Sequence, residues 1–269
     1  MTCIDPVVLR RIARVAAAAG AGVALDWQRR ASELRVEEKA ASDDLVSQAD
    51  RDAEGAIRAV ILDHRPEDAV VGEEGGTHEG TSGVSWLVDP IDGTTNYLYG
   101  RADWAVSVAA VGAGGSLLAA AVAEPAVRRV TEASLGGGTW VGVRRVAALP
   151  QTDLGRALVE LNVGRPAQRP RFGAVTDALV GRVRDVRRCG SAAAALARVA
   201  TGRANAAWLP GLQPWDCAAG ILLVAEAGGI VGDLAGSGSA RVPRSGDVLA
   251  APPPLWEPLR ALLRTAVLA

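Results

Sequence analysis

Residues 104–123 form a run of 20 without one charged side chain. Such a run suits a membrane span or two strands buried on both faces. Gly112, Gly114 and Gly115 interrupt it, and both halves are rich in Val and Ala. Two buried strands joined by a turn at Gly112-Ala113-Gly114-Gly115-Ser116 therefore account for it better than a helix in lipid. A second apolar stretch, 15–25, follows Arg10, Arg11 and Arg14 and faintly resembles an export signal. Asp5 and Pro6 precede those arginines, and Ala and Gly stand where such a signal has Leu. An amphipathic helix over 5–30 is the better reading. No membrane partner is expected.

Further along, the pattern predicts a helix over 50–63, a short strand at 69–71, a glycine-rich loop at 72–83 and a buried strand at 86–88 ending at Asp89-Pro90. An antiparallel run spans 104–143, with turns at 112–116, 124–128 and 136–138. The second half alternates: strand 157–163, helix 171–182, strand 185–188, helix 190–201, strand 205–208, helix 215–227, and a strand near 230. Alternation of this kind predicts α/β layering. The irregular, proline-containing stretch 144–170 suggests a division near 145–155. An N-terminal α+β part (1–148) would then precede a C-terminal α/β part (149–269).

Composition removes several chemistries. The chain has 269 residues, with 29 Lys+Arg against 30 Asp+Glu and a net charge of −1. This lacks the basic excess of a general nucleic-acid binder, and no nucleic-acid partner is expected. Cys3, Cys189 and Cys217 form neither a disulfide framework nor a zinc pattern, which points to a reducing, cytoplasmic setting. The two histidines, His64 at a helix end and His78 in a loop, both read as solvated. Carboxylates and metals are thus better candidate tools than imidazole.

The segment Trp86-Leu87-Val88-Asp89-Pro90-Ile91-Asp92-Gly93-Thr94-Thr95-Asn96 concentrates the chemistry. An apolar strand delivers Asp89 and Asp92 at its carboxyl end. Pro90 fixes a φ angle between them, and Gly93 lets the backbone pass close to a ligand. Thr94 and Thr95 are candidate caps of a helix whose free N–H groups would face an anion. A calcium loop of the EF-hand type fails, because its twelfth position falls on Gly100. An acidic turn with a capping Asp remains the plain alternative. Glu73-Glu74 after a strand and Asp216 at a helix start add acids, although solvation and capping account for such residues equally well. Asp89, Asp92, Asp216 and Glu73 could together hold two hard divalent cations side by side.

These segments resemble the inositol monophosphatase family of Mg²⁺-dependent, lithium-sensitive phosphatases. The matching stretches are 44–50, Gly72-Glu73-Glu74, 86–97, Arg188-Cys189-Gly190-Ser191-Ala192-Ala193, 215–220 and Glu226-Ala227-Gly228-Gly229. The resemblance implies a layered αβαβα sandwich of the inositol monophosphatase/fructose bisphosphatase type, a homodimer, and two or three Mg²⁺ ions. Glu73, Asp89 and the Ile91 carbonyl would hold one ion. Asp89, Asp92 and Asp216 would hold a second, and Glu73 would also touch a loosely bound third. Thr94, oriented by Asp50, would work with Glu73 to activate water, and the Gly93 and Thr94 N–H groups would bind phosphate. Gly190, Ser191 and Ala192 match the substrate-side helix start, and Lys39 matches a family lysine near the site.

One position departs. Members acting on inositol phosphate carry an acid seven residues before the Asp of Trp-Asp, where it binds substrate hydroxyls. Leu209 stands there and cannot accept such a bond. The expectation is a metal-dependent phosphomonoesterase on a small soluble ester, a cyclitol or sugar phosphate, with an apolar substrate contact at Leu209. The alternatives are a histidinol-phosphate or nucleoside-phosphate phosphatase, a bisphosphatase of related type, and a nonhydrolytic binding or regulatory protein on the same scaffold.

Overall fold

A computed structural model describes residues 5–30, 36–38, 45–164, 169–238 and 241–268. Lys39 lies outside the described residues, as do Cys3, Asp43 and Asp44. Helix α1 (Pro6–Arg29) starts where Asp5 accepts the Val7 N–H at 2.8 Å and Pro6 occupies a first-turn position with no N–H to satisfy. After the short antiparallel pair β1 (Val36–Glu38) and β2 (Leu45–Ser47), α2 (Gln48–His64) packs beside it.

The chain then builds an eight-stranded sheet from β3 (Ala69–Gly72), β4 (Thr77–His78), β5 (Ser85–Asp92), β6 (Ala105–Val111), β7 (Leu117–Glu124), β8 (Arg129–Ser134), β9 (Gly138–Val141) and β10 (Arg144–Val146). Its order is β10-β9-β8-β7-β6-β5-β3-β4, antiparallel except for the parallel β3–β5 pair. A short helix, α3 (Thr94–Leu98), leaves β5. The charge-free run is the β6–β7 hairpin at the centre of this sheet. Val106, Val108 and Ala110 face α1 and α2, while Ala105 and Ala109 face the opposite layer, so neither side tolerates a charge. No described helix is long and apolar enough to cross a membrane.

The second sheet has six strands: β11 (Leu158–Leu161), β12 (Asp185–Arg188), β13 (Ala206–Leu209), β14 (Ile230–Asp233), β15 (Gly236–Ser237) and β16 (Val248–Ala251). Their order is β12-β11-β13-β16-β14-β15, with β12, β11 and β13 parallel. Helices α5 (Ala192–Ala200) and α6 (Pro214–Glu226) lie between the two sheets, and α4 (Arg169–Leu179) and α7 (Pro253–Leu268) cover the outer face. The layers read αβαβα, as the resemblance implies. Along α5 the middle layer is packed largely by methyl groups, while α6 adds Ile221, Leu222, Leu223 and Val224. Ala192, Ala193, Ala194, Ala195 and Ala197 are all buried, and a Cβ on Gly220 would sit 2.4 Å from the Leu196 Cβ. That distance admits only glycine where the two helices cross.

Several elements differ from the sequence reading. Strand β5 continues through Asp89-Pro90 to Asp92, and His78 lies in a strand, paired with Val70, yet stays exposed. The strand near 230 is half of a hairpin, and β16 and α7 complete the second sheet and its cover. Cys189 and Cys217 are free, buried thiols.

Asp68, in what reads as a plain turn, is a structural node. Fully buried, it accepts two bonds from Arg65 at 2.9 and 3.0 Å, one from the Ser82 hydroxyl, and one from Trp86 Nε1 at 2.9 Å. Asp68→Ala leaves the buried indole N–H and the guanidinium without their acceptor. Urea unfolding should show a loss of about 3 kcal/mol; a loss within the range of an ordinary surface substitution would remove the node from this account.

Candidate active site

Two pairing registers assemble the acids. The parallel β3–β5 register sets Gly72 opposite Val88, and the Glu73 N–H donates to the Val88 carbonyl at 3.2 Å, so Glu73 emerges level with Asp89. On the other edge of β5, Asp89 pairs with Ser107 and Asp92 with Ala105, with a register break between. Pro90 has no N–H to offer the ladder, which is why the strand breaks there. Ser107 Oγ donates to the Trp215 carbonyl at 2.8 Å and docks the first turn of α6 on β6. That bond brings Asp216 to Asp89. One carboxylate oxygen each from Glu73, Asp89 and Asp216 lies within 4.8 Å of the others.

This donor set is all carboxylate oxygen, which suits a hard divalent cation. The charge state of Asp89 supports the fit. Burial pushes its pKa well above the ordinary aspartate range, and Glu73, Asp92, Asp216 and Asp50 push it further. A bound cation would offset that crowding. Asp50, 1% exposed in the first turn of α2, belongs to the same field.

Asp92 stands apart from the three clustered acids. Its Oδ2 accepts from Ser191 Oγ at 2.5 Å and from the Ala193 N–H at 2.6 Å, at the start of α5. Burial raises its pKa to about 6, against the pull of those bonds and with Glu73 adding to the rise. Gly93 is the N-cap of α3 at φ 97°, and a Cβ there would lie 3.2 Å from the Asp103 carbonyl. Thr94 is therefore the first helical residue and not the cap. Its hydroxyl donates to the Ile91 carbonyl at 3.2 Å.

A cavity of about 310 Å³ opens beside these groups. Asp92, Gly93, Thr94 and Asp216 line one part of it, and Asn162, Arg188, Gly190, Ala192 and the stretch Pro210-Gly211-Leu212 line another. Two substrate-side expectations need correction. Ser191 is fully buried, caps α5 through the Ala194 N–H and holds Asp92, so it positions a carboxylate and does not face the cavity. Leu209 is also fully buried: strand alternation turns it, with Ala207, into the α5–α6 layer. The wall begins one residue later, at Pro210.

The structure adds residues that the motifs do not single out. Glu54, 2% exposed, accepts the N–H groups of Glu74 and Gly75 at 2.8 and 2.9 Å and pairs with Arg58, which also reaches the Gly76 carbonyl. It fastens the loop that carries Glu73. The four-residue spacing of Asp50, Glu54 and Arg58 on one helix face is a signal of this role. Asn96 Nδ2 donates to the Asp103 and Cys189 carbonyls and clips α3 to the α5 approach.

The profile of the inositol monophosphatase family matches residues 8–268. An inositol-1-monophosphatase of Rhizobium meliloti is 40% identical over 199 residues, covering 72% of this chain and 74% of that protein. A Pseudomonas aeruginosa protein named Nus factor SuhB is 39% identical over 213 residues, 76% of this chain and 77% of that protein. The crystal structure of the extragenic suppressor protein suhB from Bartonella henselae superposes with a TM-score of 0.90 at 30% identity, covering 96% of this chain and 98% of that one.

Two outcomes follow from the geometry. Asp92 titrates near 6 in the folded chain, against an unfolded value of about 3.9. Folding of the metal-free protein is therefore favoured below about pH 4 and loses that contribution as pH rises through 6. Mg²⁺ should raise Tm more at pH 8, where the acids are ionised, than at pH 5. Equal gains at both pH values, or gains that survive in Asp89→Asn, would contradict the site. Glu54→Gln should weaken Mg²⁺ binding about tenfold by loosening the Glu73 loop. Calorimetric titration reads this directly, and unchanged affinity would make Glu54 a fold residue alone.

Proposed function

We propose, since this chain belongs to the inositol monophosphatase family, that it is a Mg²⁺-dependent phosphomonoesterase acting on a small soluble phosphate ester, a cyclitol or sugar phosphate. The observation that carries this reading is the convergence of Glu73, Asp89 and Asp216 beside the cavity that Asp216 lines. Glu73, Asp89 and the Ile91 carbonyl are the proposed ligands of one ion, and Asp89, Asp92 and Asp216 those of another. Bound Mg²⁺ supplies charge for the transferring phosphoryl group and lowers the pKa of water.

The chain's own groups do the positioning. Glu73, with Thr94 and Asp50, takes the proton from the attacking water. The backbone N–H groups of Gly93 and Thr94 hold phosphate oxygens. Water adds to phosphorus, the bond to the alcohol oxygen breaks, and that oxygen takes a proton from solvent water while Glu73 returns its own to solvent. Preorganisation of these donors is the main contribution, because they need not rearrange as charge develops. Asp92, tied to Ser191 and Ala193, keeps the start of α5 against the phosphate side of the cavity.

A second reading is a binding or regulatory role without hydrolysis. The likeness to the Pseudomonas aeruginosa protein named a Nus factor favours it. Phosphate release with and without Mg²⁺ separates the two, using inositol 1-phosphate, histidinol phosphate, sugar phosphates and nucleoside phosphates. Hydrolysis predicts Mg²⁺-dependent release, abolished by chelation and reduced at least ~100-fold in kcat by Glu73→Gln with unchanged circular dichroism. Protein that binds Mg²⁺ and releases phosphate from none of these would leave the regulatory reading standing.

A further inference from the structure

We propose that the substrate carries a second anionic group on its alcohol portion, received by Arg188 and Asn162. This rests on the phosphatase reading above and narrows its substrate class. Arg188 closes β12 and Asn162 follows β11, whose Leu161 is its register partner. Both residues line the cavity, at the carboxyl ends of neighbouring parallel strands. Neither strand carries a clustered carboxylate, so this wall is separate from the metal side.

The chemistry of the wall is one-sided. The Arg188 side chain is exposed and makes no hydrogen bond or ion pair among the described residues, whereas that of its neighbour Arg187 pairs with Asp185. The Asn162 amide is already oriented: its Oδ1 accepts the Gly190 N–H at 2.9 Å, which leaves Nδ2 as a donor. The nearby stretch Pro210-Gly211-Leu212 contributes no side-chain acceptor, and the Gly211 N–H is committed to Asp247 at 3.0 Å. Leu209, where an acid would accept hydroxyl protons, is buried in the core. A polyol presented to this wall would find donors but few acceptors for its own O–H groups. A carboxylate or second phosphate would meet a guanidinium and an amide N–H, the pairing that gives short charge-assisted bonds.

Matched substrate pairs test this with the Mg²⁺-loaded enzyme: glucose 1-phosphate against glucose 1,6-bisphosphate, and glycerol 3-phosphate against 3-phosphoglycerate. The first pair adds a phosphate and the second a carboxylate, so the two arms tell which anion is received. In one pair at least, kcat/KM should be about tenfold higher for the doubly anionic member. Arg188→Ala should remove that preference by raising KM for the doubly anionic member, with the singly anionic one nearly unchanged and Arg188→Lys retaining part of it. Equal kcat/KM within both pairs would overturn the proposal and leave the phosphatase standing. So would an Arg188→Ala loss shared alike by both members, which would place Arg188 on the transferred phosphate. Inertness of all four beside turnover of inositol 1-phosphate would overturn the proposal alone, and inertness of every compound would overturn both readings together.

Discussion

Crowding of carboxylates around the buried Asp89 is the constraint around which this molecule is arranged. Glu73, Asp89 and Asp216 come from three different elements and meet within 4.8 Å, with Asp50 and Asp92 in the same field. Like charges at that spacing would separate if their backbones were free. Each is therefore anchored from behind. Glu54 and Arg58 fasten the Glu73 loop, Ser107 pins the α6 start, and the Ile91 N–H bonds Asp89 Oδ1 at 3.0 Å. The layered fold supplies these anchors, because the site lies where the first sheet meets the middle helices.

The sequence disclosed the parts of the site that depend on short-range pattern. An apolar strand running into Asp89 and Asp92, and a Trp-Asp pair opening a helix, are visible without coordinates because strand period and cap position are local properties. What stayed hidden depends on pairing between distant segments. The register break at Pro90 separates two acids that look equivalent in the motif, so Asp89 joins the three-acid cluster while Asp92 commits one of its oxygens, Oδ2, to the start of α5. The direction of Leu209 is set by which layer β13 turns toward, and a motif count cannot see that. Ser107 looks like one more small residue in a buried strand until its partner, the Trp215 carbonyl 108 positions away, is known.

The fold was legible to a similar degree. The hairpin over 104–123 follows from its glycines and its missing charges. The closing elements did not follow, since Pro252, Pro253, Pro254 and Pro258 mask the helix that covers the second sheet. Pro253 and Pro254, in the first turn, cost no hydrogen bond, because those N–H groups have no partner within the helix, whereas Pro258 lies inside it and removes one. The helix can therefore begin among residues that ordinarily signal a loop, and Leu255, Leu259 and Leu263 then supply its buried face.

The alanine-filled layer between the sheets has a consequence for how this chain can change over generations. Ala192, Ala193, Ala194, Ala195 and Ala197 leave no side chain to trim, and Gly220 leaves no room for one to grow. Cores built from Leu and Ile accept exchanges of volume between neighbours. At the α5 alanines and at Gly220 this one has little volume to exchange, whereas Leu196, Ile221, Leu222 and Leu223 retain it. Viable drift is thus most restricted where the two helices cross, and variation in what the protein recognises arises more readily in the loops beyond the strands.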